Sequence, residues 1–376
     1  MIYLDYNATT PIATEVAEAM MPFIEKDFGN PSSAHPMGRS AKEALEKARS
    51  QISRMLGCDS NEIIFTSGGT ESNNMVLKSV AWTLRKKGSH IITSKIEHPA
   101  IINTAHFLME WGCDVTFLPV DTYGFLDPDE VKKALRKDTI LITVMHANNE
   151  TGTIQPITEI SSIAREHGVL FHTDAAQSIG KIETKVHDLG VDFLTIAGHK
   201  IYAPKGVGVL YIRNGVEIEP FIHGGGQEKG FRSGTENMIL NVGLGQACEL
   251  VMDNLYHDMS RLRRLRDSLY NQIRSEVPKV VLNGHPEDRL PNTLYLSFPG
   301  MRGEEILKLI PELCASTGSA CHDASVTLSH VLEAMGIKKE VGMGAIRLSI
   351  GRPTTESEID QAAQLLVEAV EKIDGF

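Results

Sequence analysis

The sequence predicts an α/β protein, with a large domain built on a mostly parallel sheet and a smaller α+β C-terminal domain. Three observations carry this prediction. Between about residues 41 and 213, short wholly apolar runs alternate with amphipathic helical stretches. That is the pattern of βαβ units whose strands are buried on both faces. Near Asn254 the character changes to a long, highly charged helical stretch followed by shorter strands and helices. The chain has 376 residues, enough for roughly two domains at typical domain sizes. We therefore expect residues 15–254 to form the large domain. Residues 1–14 and 255–376 form the small one.

The elements follow in order. Residues 41–56 place Ala44, Ala48, Ile52 and Leu56 at four-residue spacing, which predicts a helix. Glu62–Ser67 is a short apolar run suited to a buried strand. A helix over Thr70–Lys87 carries Leu77, Val80, Ala81 and Leu84 on one face and stops at Gly88. Strand-like runs follow at His90–Ile96, Val115–Val120, Thr139–His146, Val169–His172, Phe193–Ala197 and Val207–Ile212. Helical patterns at 99–111, 128–137 and 158–167 separate several of them, and the crossovers should be right-handed. In the second domain, 255–276 reads as a helix whose Arg261, Arg263, Arg264, Arg266 and Asp267 form a solvated face. Strands at Thr293–Phe298 and Ala345–Ile350 and helices at 303–314 and 355–373 complete it. No internal repeat or low-complexity tract is present.

Charge narrows the function. Lys+Arg number 37 against 48 Asp+Glu, a formal net charge of -11. An acidic chain lacks the basic footprint of a nucleic-acid binder and is repelled by anionic membrane. No apolar run approaches the roughly 20 residues that cross a bilayer. The start lacks a basic region followed by an apolar one. We expect a soluble, cytoplasmic protein. The cysteines (Cys58, Cys113, Cys248, Cys314, Cys321) are five in number and contain no CxxC, so neither a disulfide framework nor a zinc site is expected. Cys314 follows Ile306–Ile310 and reads as core. Cys58, Cys113 and Cys248 read as packing.

Open parallel sheets bind ligands beyond the carboxyl ends of their strands. At those ends stand Ser67-Gly68-Gly69-Thr70, Glu97-His98, Asn148–Gly152, Asp174–Gln177 and His199-Lys200. Five such segments converge on one crevice. Ser67–Thr70 joins a strand to a helix. It is either a plain tight turn or a phosphate cradle made of glycines and a helix N-terminus. It matches neither GxGxxG nor GxxxxGK[ST], which disfavours dinucleotides and nucleoside triphosphates. Lys200 ends an apolar strand, where desolvation frees its amine to attack a carbonyl. Asp174 ends the preceding strand and is either an ion-pair partner of Lys200 or the holder of a proton on a heteroaromatic nitrogen. A lysine that forms a Schiff base and a carboxylate facing a pyridinium are the protein's contribution to pyridoxal phosphate chemistry. His98 then stacks on a ring or moves a proton, and its alternative is a satisfied interior histidine. A metal on His98, His172, Asp174 and His199 is disfavoured because Lys200 would have no role. Cys321 lies among small polar residues in Ser316–Asp323, which predicts an exposed, flexible loop whose thiol His322 activates. Arg352 follows an apolar strand. It is either an interdomain ion pair or a bidentate anchor for a substrate carboxylate. The stretch from Gly224 to Thr235 is a glycine-rich loop.

These residues resemble the cysteine desulfurases of the NifS/IscS type, within the class-V aminotransferases and fold-type-I pyridoxal-phosphate enzymes. The resemblance runs almost end to end. It rests on Tyr3–Pro11, Gly29–Ser33, Thr66–Asn74, Asn148–Gly152, His172–Gln177, Gly198–Tyr202, Arg232–Thr235 and Gly318–Cys321. It implies a pyridoxal 5'-phosphate enzyme that converts L-cysteine to L-alanine, leaves a persulfide on Cys321, and passes the sulfur to an acceptor such as an iron–sulfur scaffold protein. It implies Lys200 as the Schiff-base lysine and later proton carrier, Asp174 on the pyridine nitrogen, Gln177 on the phenolic oxygen and His98 over the ring. Gly69, Thr70 and His199 would hold the phosphate, with Thr235 supplied across a homodimer. Asn149 and Arg352 would lie beside the substrate, and Arg352 would take its carboxylate. No resident metal is implied, although Cys321 stays open as a transient iron–sulfur ligand. Two departures stand out. Ala197 occupies a position where relatives carry a phosphate-binding Ser or Thr, which leaves Thr195 as the substitute hydroxyl. Cys321-His322-Asp323 replaces a commoner Cys-Thr-Ser and is similar to selenocysteine lyases. That keeps a selenocysteine lyase open, as it does another class-V aminotransferase or lyase that does not use Cys321.

Overall fold

The computed structural model describes residues 1–317, 319–322 and 325–375, apart from the side chains of residues 319–322, 325 and 326. Strand β1 (Ile2–Tyr3) leads into helices α1 (Thr14–Glu25) and α2 (Pro36–Leu56). Helix α2 begins five residues before the apolar spacing shows it. Pro36 fits the first turn, where its missing N–H costs nothing, and His35 Nδ1 accepts from the Gly38 N–H at 3.2 Å. The chain continues through β2 (Ile63–Thr66), α3 (Gly69–Thr83), β3 (His90–Ser94), α4 (Pro99–Glu110), β4 (Asp114–Leu118), α5 (Pro128–Ala134) and β5 (Thr139–Thr143). Then come α6 (Ile157–Glu166), β6 (Leu170–Asp174), α7 (Val186–Leu189), β7 (Phe193–Ala197) and β8 (Gly208–Ile212).

These strands form one seven-stranded sheet in the order β2-β8-β7-β6-β5-β3-β4. Strands β3 to β7 pair in parallel, and only β8 runs against its neighbours β7 and β2. The short connection from β7 to β8 explains the exception, because a parallel return needs a crossover of a dozen residues or more. Every residue of β2, β3, β5, β7 and β8 is buried, as expected of strands covered on both faces.

Helix α8 spans Met238–Glu276, 39 residues without interruption. The sequence suggested a helix only from 255, because Gly243 and Gly245 weaken the pattern before it. Both glycines are there for close packing. A Cβ on Gly245 would stand 2.7 Å from Ala48 Cα, and one on Gly243 2.7 Å from Met20 Sδ. The compositional change near Asn254 is real but marks no linker. Along this one helix, Val251 belongs to the core around the seven-stranded sheet, whereas Leu262, Leu265, Leu269 and Ile273 belong to a second core. Ile2 and Leu4 join that second core.

The remaining elements are β9 (Val281–Leu282), β10 (Thr293–Ser297), α9 (Gly303–Lys308), β11 (Leu313–Cys314), β12 (Ser316–Thr317), β13 (Ser319–His322) and β14 (Ser325–Leu328). After them come α10 (His330–Ala334), α11 (Lys339–Gly342), β15 (Ala345–Ser349) and α12 (Glu356–Asp374). Strands β12-β15-β10-β9 form an antiparallel sheet. The helix expected over 303–314 ends at Lys308. Pro311 disfavours helix in the residue before it and cannot continue one. Cys314 therefore falls on β11, beside Tyr3, and is half-buried instead of core. Helix α12 starts on a capping box of Thr355 and Glu358. Where a loop was expected around Cys321, the backbone forms the β13–β14 hairpin, with Cys321 opposite Val326. Among the described residues no helix is long and apolar enough to cross a membrane.

Candidate active site

The site begins at the turn between β2 and α3. Gly68 has φ 149° and ψ 179°, a conformation nearly confined to glycine. Strand β8 presses against this turn so closely that a Cβ on Gly208 would lie 2.6 Å from Gly68 Cα. The N-terminus of the 15-residue α3 is thereby aimed into a cavity of about 220 Å³ at the carboxyl edge of the sheet. Gly69 and Thr70 line it, and so do His98, Asn149, Asp174, Gln177, His199 and Lys200. All five strand-end segments meet there.

Asp174 closes β6 at the cavity wall. Its Oδ2 accepts from Asn73 Nδ2 at 2.7 Å and its Oδ1 from the Ala176 N–H at 2.9 Å. Among the described residues no lysine or arginine is in ion-pair contact with it, so the plain Lys200–Asp174 pair is not what the fold builds. Lys200 Nζ instead donates to the main-chain oxygens of Asn7 at 2.5 Å and Ala8 at 2.8 Å. Burial first, and the Arg347 guanidinium second, disfavour its cation and bring its pKa from 10.5 down to about 8.

His98 caps α4. Its Nδ1 accepts from the Ala100 N–H at 3.1 Å, so the other nitrogen, Nε2, carries the proton of the neutral ring. Desolvation at the wall holds its pKa below 6.5. His199 is likewise pushed down to about 4, by burial and then by Lys200.

Thr195 does not replace the hydroxyl missing at Ala197. It is fully buried and meets His172 Nε2 at 3.0 Å, with Thr143 on the other ring nitrogen at 2.8 Å. Burial drives the pKa of His172 to about 3, so it is a neutral strut under the sheet edge and not a ligand. Ala197 lines the cavity beside Gly69.

Arg352 also departs from expectation. Its Nε donates to Asp258 Oδ2 at 2.6 Å and its guanidinium lies over the Tyr202 ring at 4.9 Å. It lines a separate, small cavity behind Lys200. A carboxylate of α8 has captured it, so it forms an ion pair, with both partners on the C-terminal side of residue 254. Arg347 does not line the main cavity, but its guanidinium is bonded to Asn149, which does. Its Nη1 donates to Asn149 O at 3.0 Å and its Nη2 to Asp5 Oδ1 at 2.8 Å. Arg347 is buried, and its Nε has no partner among the described residues. A charged residue inside the apolar run Ala345–Ile350 was the signal that could have found it.

Asn7, Asn73 and Lys181 were also missed as site residues. Asn7 lies far away in sequence, yet its side chain bonds Asn149 O, Thr293, Asn292 and Lys181. Thr235 is exposed and outside the cavity. The side chains of Cys321 and His322, and the whole of Asp323, lie outside the described residues. The hairpin bearing Cys321 leads into a segment fastened at the site. There Ser329 Oγ donates to Glu150 Oε2 at 2.6 Å, and His330 Nε2 donates to Glu97 O at 3.0 Å. Among the described residues no group of His, Cys, Asp and Glu is arranged to hold a metal.

The family model described as aminotransferase class-V matches residues 2–362. The chain belongs to the class-V aminotransferase family. Within the family it is 50% identical to a cysteine desulfurase IscS of Dictyoglomus turgidum, over 99% of this chain and 95% of the relative. Among solved structures, this class-V chain resembles a NifS-like protein with a TM-score of 0.92 and 39% identity, each chain covered in full. It also resembles SspA in complex with cysteine, with a TM-score of 0.83 and 39% identity over 93% of this chain and 99% of that one. Members of this family are pyridoxal-phosphate enzymes. The residues present fit that group. Among the described residues Asp174 has no cation in ion-pair contact, Lys200 offers a partly deprotonated amine, and Gly68-Gly69 open a helix N-terminus to an anion.

Proposed function

We propose that this chain is a cytoplasmic, homodimeric pyridoxal-phosphate-dependent cysteine desulfurase. It takes L-cysteine to L-alanine and passes the sulfur, by way of Cys321, to an acceptor protein such as an iron–sulfur scaffold. The observation that carries the reading is the shared cavity of Lys200 and Asp174, an amine with pKa about 8 and a carboxylate held by neutral donors. Relatives named as cysteine desulfurases over the whole chain support it.

Asp174 would face the pyridine nitrogen and hold its proton. His98 would cover the ring, with Gln177 at the ring oxygen. Gly69, Thr70 and His199 would hold the phosphate, joined by Thr235 across the dimer. Arg347 takes over the role first expected of Arg352. It sits against Asn149, and among the described residues its Nε–H has no partner, while its Nη2 is held by Asp5 and Ser316; a planar guanidinium suits a carboxylate.

When bound, pyridoxal phosphate supplies a sink for the electron pair released from the substrate's Cα–H bond. Lys200 Nζ, free as the amine in a substantial fraction near pH 8, receives that proton and returns it. The Cys321 thiolate attacks the substrate sulfur. A sulfur–sulfur bond forms, the Cβ–sulfur bond breaks, and its electron pair stays on Cβ and takes a proton. Alanine and a Cys321 persulfide are the products. Alanine formation from cysteine should be lost in both Lys200→Ala and Cys321→Ser. Undiminished turnover by Cys321→Ser would instead favour a family enzyme that does not use the thiol.

A further inference from the structure

Lys181 is a buried lysine without an acid. It lies 7% exposed beneath the cavity, and its Nζ donates to Gln177 Oε1 at 2.8 Å and to Asn7 Oδ1 at 3.0 Å. Among the described residues no carboxylate is in ion-pair contact with it. Buried lysines are rare unless paired, and removing a lone cation from water costs several kcal/mol. A lysine kept there against that cost, between two side-chain amides, calls for a use.

We propose that Lys181 is a positioning residue that locks the Gln177 amide so that it offers a hydrogen-bond donor to the ring oxygen of the bound cofactor. Even as the neutral amine, Nζ has two N–H donors, and these meet Gln177 Oε1 and Asn7 Oδ1. Gln177 thus presents Oε1 to Lys181 and Nε2 to Asn7 O, so the amide is held from both sides. Gln177 Nε2 then has two hydrogens. One goes to Asn7 O at 3.0 Å, and the other remains for the cavity that Gln177 lines. The same lysine bond draws electron density toward Oε1 and strengthens the Nε2–H donor, since bonds in a chain polarise one another. Without Lys181 the amide keeps only the Nε2 bond to Asn7 O to hold this orientation, and a turn that brings its oxygen toward the cavity, where it would repel an anionic ring oxygen, becomes easier.

Other charges also face this point. Lys200 from the end of β7 and Arg347 from β15 act on Lys181 in the same sense as burial, toward the neutral amine. Asp174 and Asp5 act on Lys200 in the opposite sense. Asp258 and Arg352 line the small cavity shared by Lys181 and Lys200, paired with each other.

The inference rests on the cofactor reading above, and the test separates the two. Full-length protein is titrated with pyridoxal phosphate, and the visible band of the bound cofactor is followed against pH. The wild type, Lys181→Met, Lys181→Gln, Lys181→Arg, Gln177→Leu and the double variant Gln177→Leu/Lys181→Met are compared. In Lys181→Met the midpoint of the band should move up by about one pH unit, the size expected for a lost bond to a charged group, and cofactor affinity should fall roughly tenfold. Lys181→Arg should restore both. In the Gln177→Leu background the lysine change should add nothing. An unshifted midpoint in Lys181→Met overturns the proposal. So does an equal shift without Gln177, which would mean that the charge acts directly. Loss of the fold in both Lys181→Met and Lys181→Gln, seen by circular dichroism, would assign a structural role and overturn it as well. A wild type that binds no pyridoxal phosphate overturns the cofactor reading itself.

Discussion

The amine of Lys200 donates to the main-chain oxygen of Asn7 at 2.5 Å, across 193 positions of sequence. The residue that follows β7 is thus held by the N-terminal segment, whose Ile2 and Leu4 pack into the second core. Both halves of the chain set the reactive amine.

Lys200 makes stability depend on pH. Its folded pKa is about 8 against 10.5 for an unperturbed lysine. Between these values the unfolded chain binds more protons than the folded one, so stability rises with pH across that window. Below pH 8 the buried cation costs about 3 kcal/mol. Apoprotein carrying Lys200→Met should be more stable than wild type in urea at pH 7, with the difference shrinking toward pH 10. A constant difference across that range would contradict the depressed pKa.

Arg347 and Arg352 should separate cleanly. Arg347→Gln removes the guanidinium at Asn149 and should raise KM for cysteine by roughly 10- to 100-fold, the worth of bonds to a charged group. Arg352→Gln breaks the contact with Asp258, so it should lower the thermal midpoint and change KM by less than about threefold. Steady-state kinetics and a melting curve on each variant decide the assignment. A large KM effect confined to Arg352→Gln would reverse it.

Asn73 holds Asp174 Oδ2 at 2.7 Å. Asn73→Leu leaves that oxygen without its donor and lets the carboxylate turn. Cofactor affinity of the apoprotein should drop about tenfold. Equilibrium dialysis against pyridoxal phosphate measures it, and unchanged affinity would remove Asn73 from the site.

Ala197→Ser should improve cofactor binding. Ala197 lines the cavity next to Gly69, and Thr195 is already engaged by His172. A new hydroxyl there should contribute about 0.5–1.5 kcal/mol, or a few-fold to tenfold in affinity. The same dialysis experiment reads it. No gain would mean that the phosphate lies away from residue 197.

Much of this protein was legible in the amino-acid order alone. Strand-length apolar runs between amphipathic helices determined the mostly parallel sheet, because burial on both faces leaves little room for polar residues. The strand-end segments at Gly69, His98, Asn149, Asp174 and Lys200 followed from the same logic, since such sheets bind ligands at one edge. Tertiary structure decided the rest. Arg352 and Arg347 look alike in sequence and each meets a carboxylate, Asp258 and Asp5, so only their packing shows that Arg347 is the one bonded to Asn149 at the cavity. Asn7 has no local signature, because its meaning lies in contacts with Lys181 and Lys200 far along the chain, and Lys181, though only four residues from Gln177, is explained only by its burial against Asn7. Local pattern governs which element a segment forms and which face it buries. The pairing of charges and amides between distant elements is settled only when those elements pack.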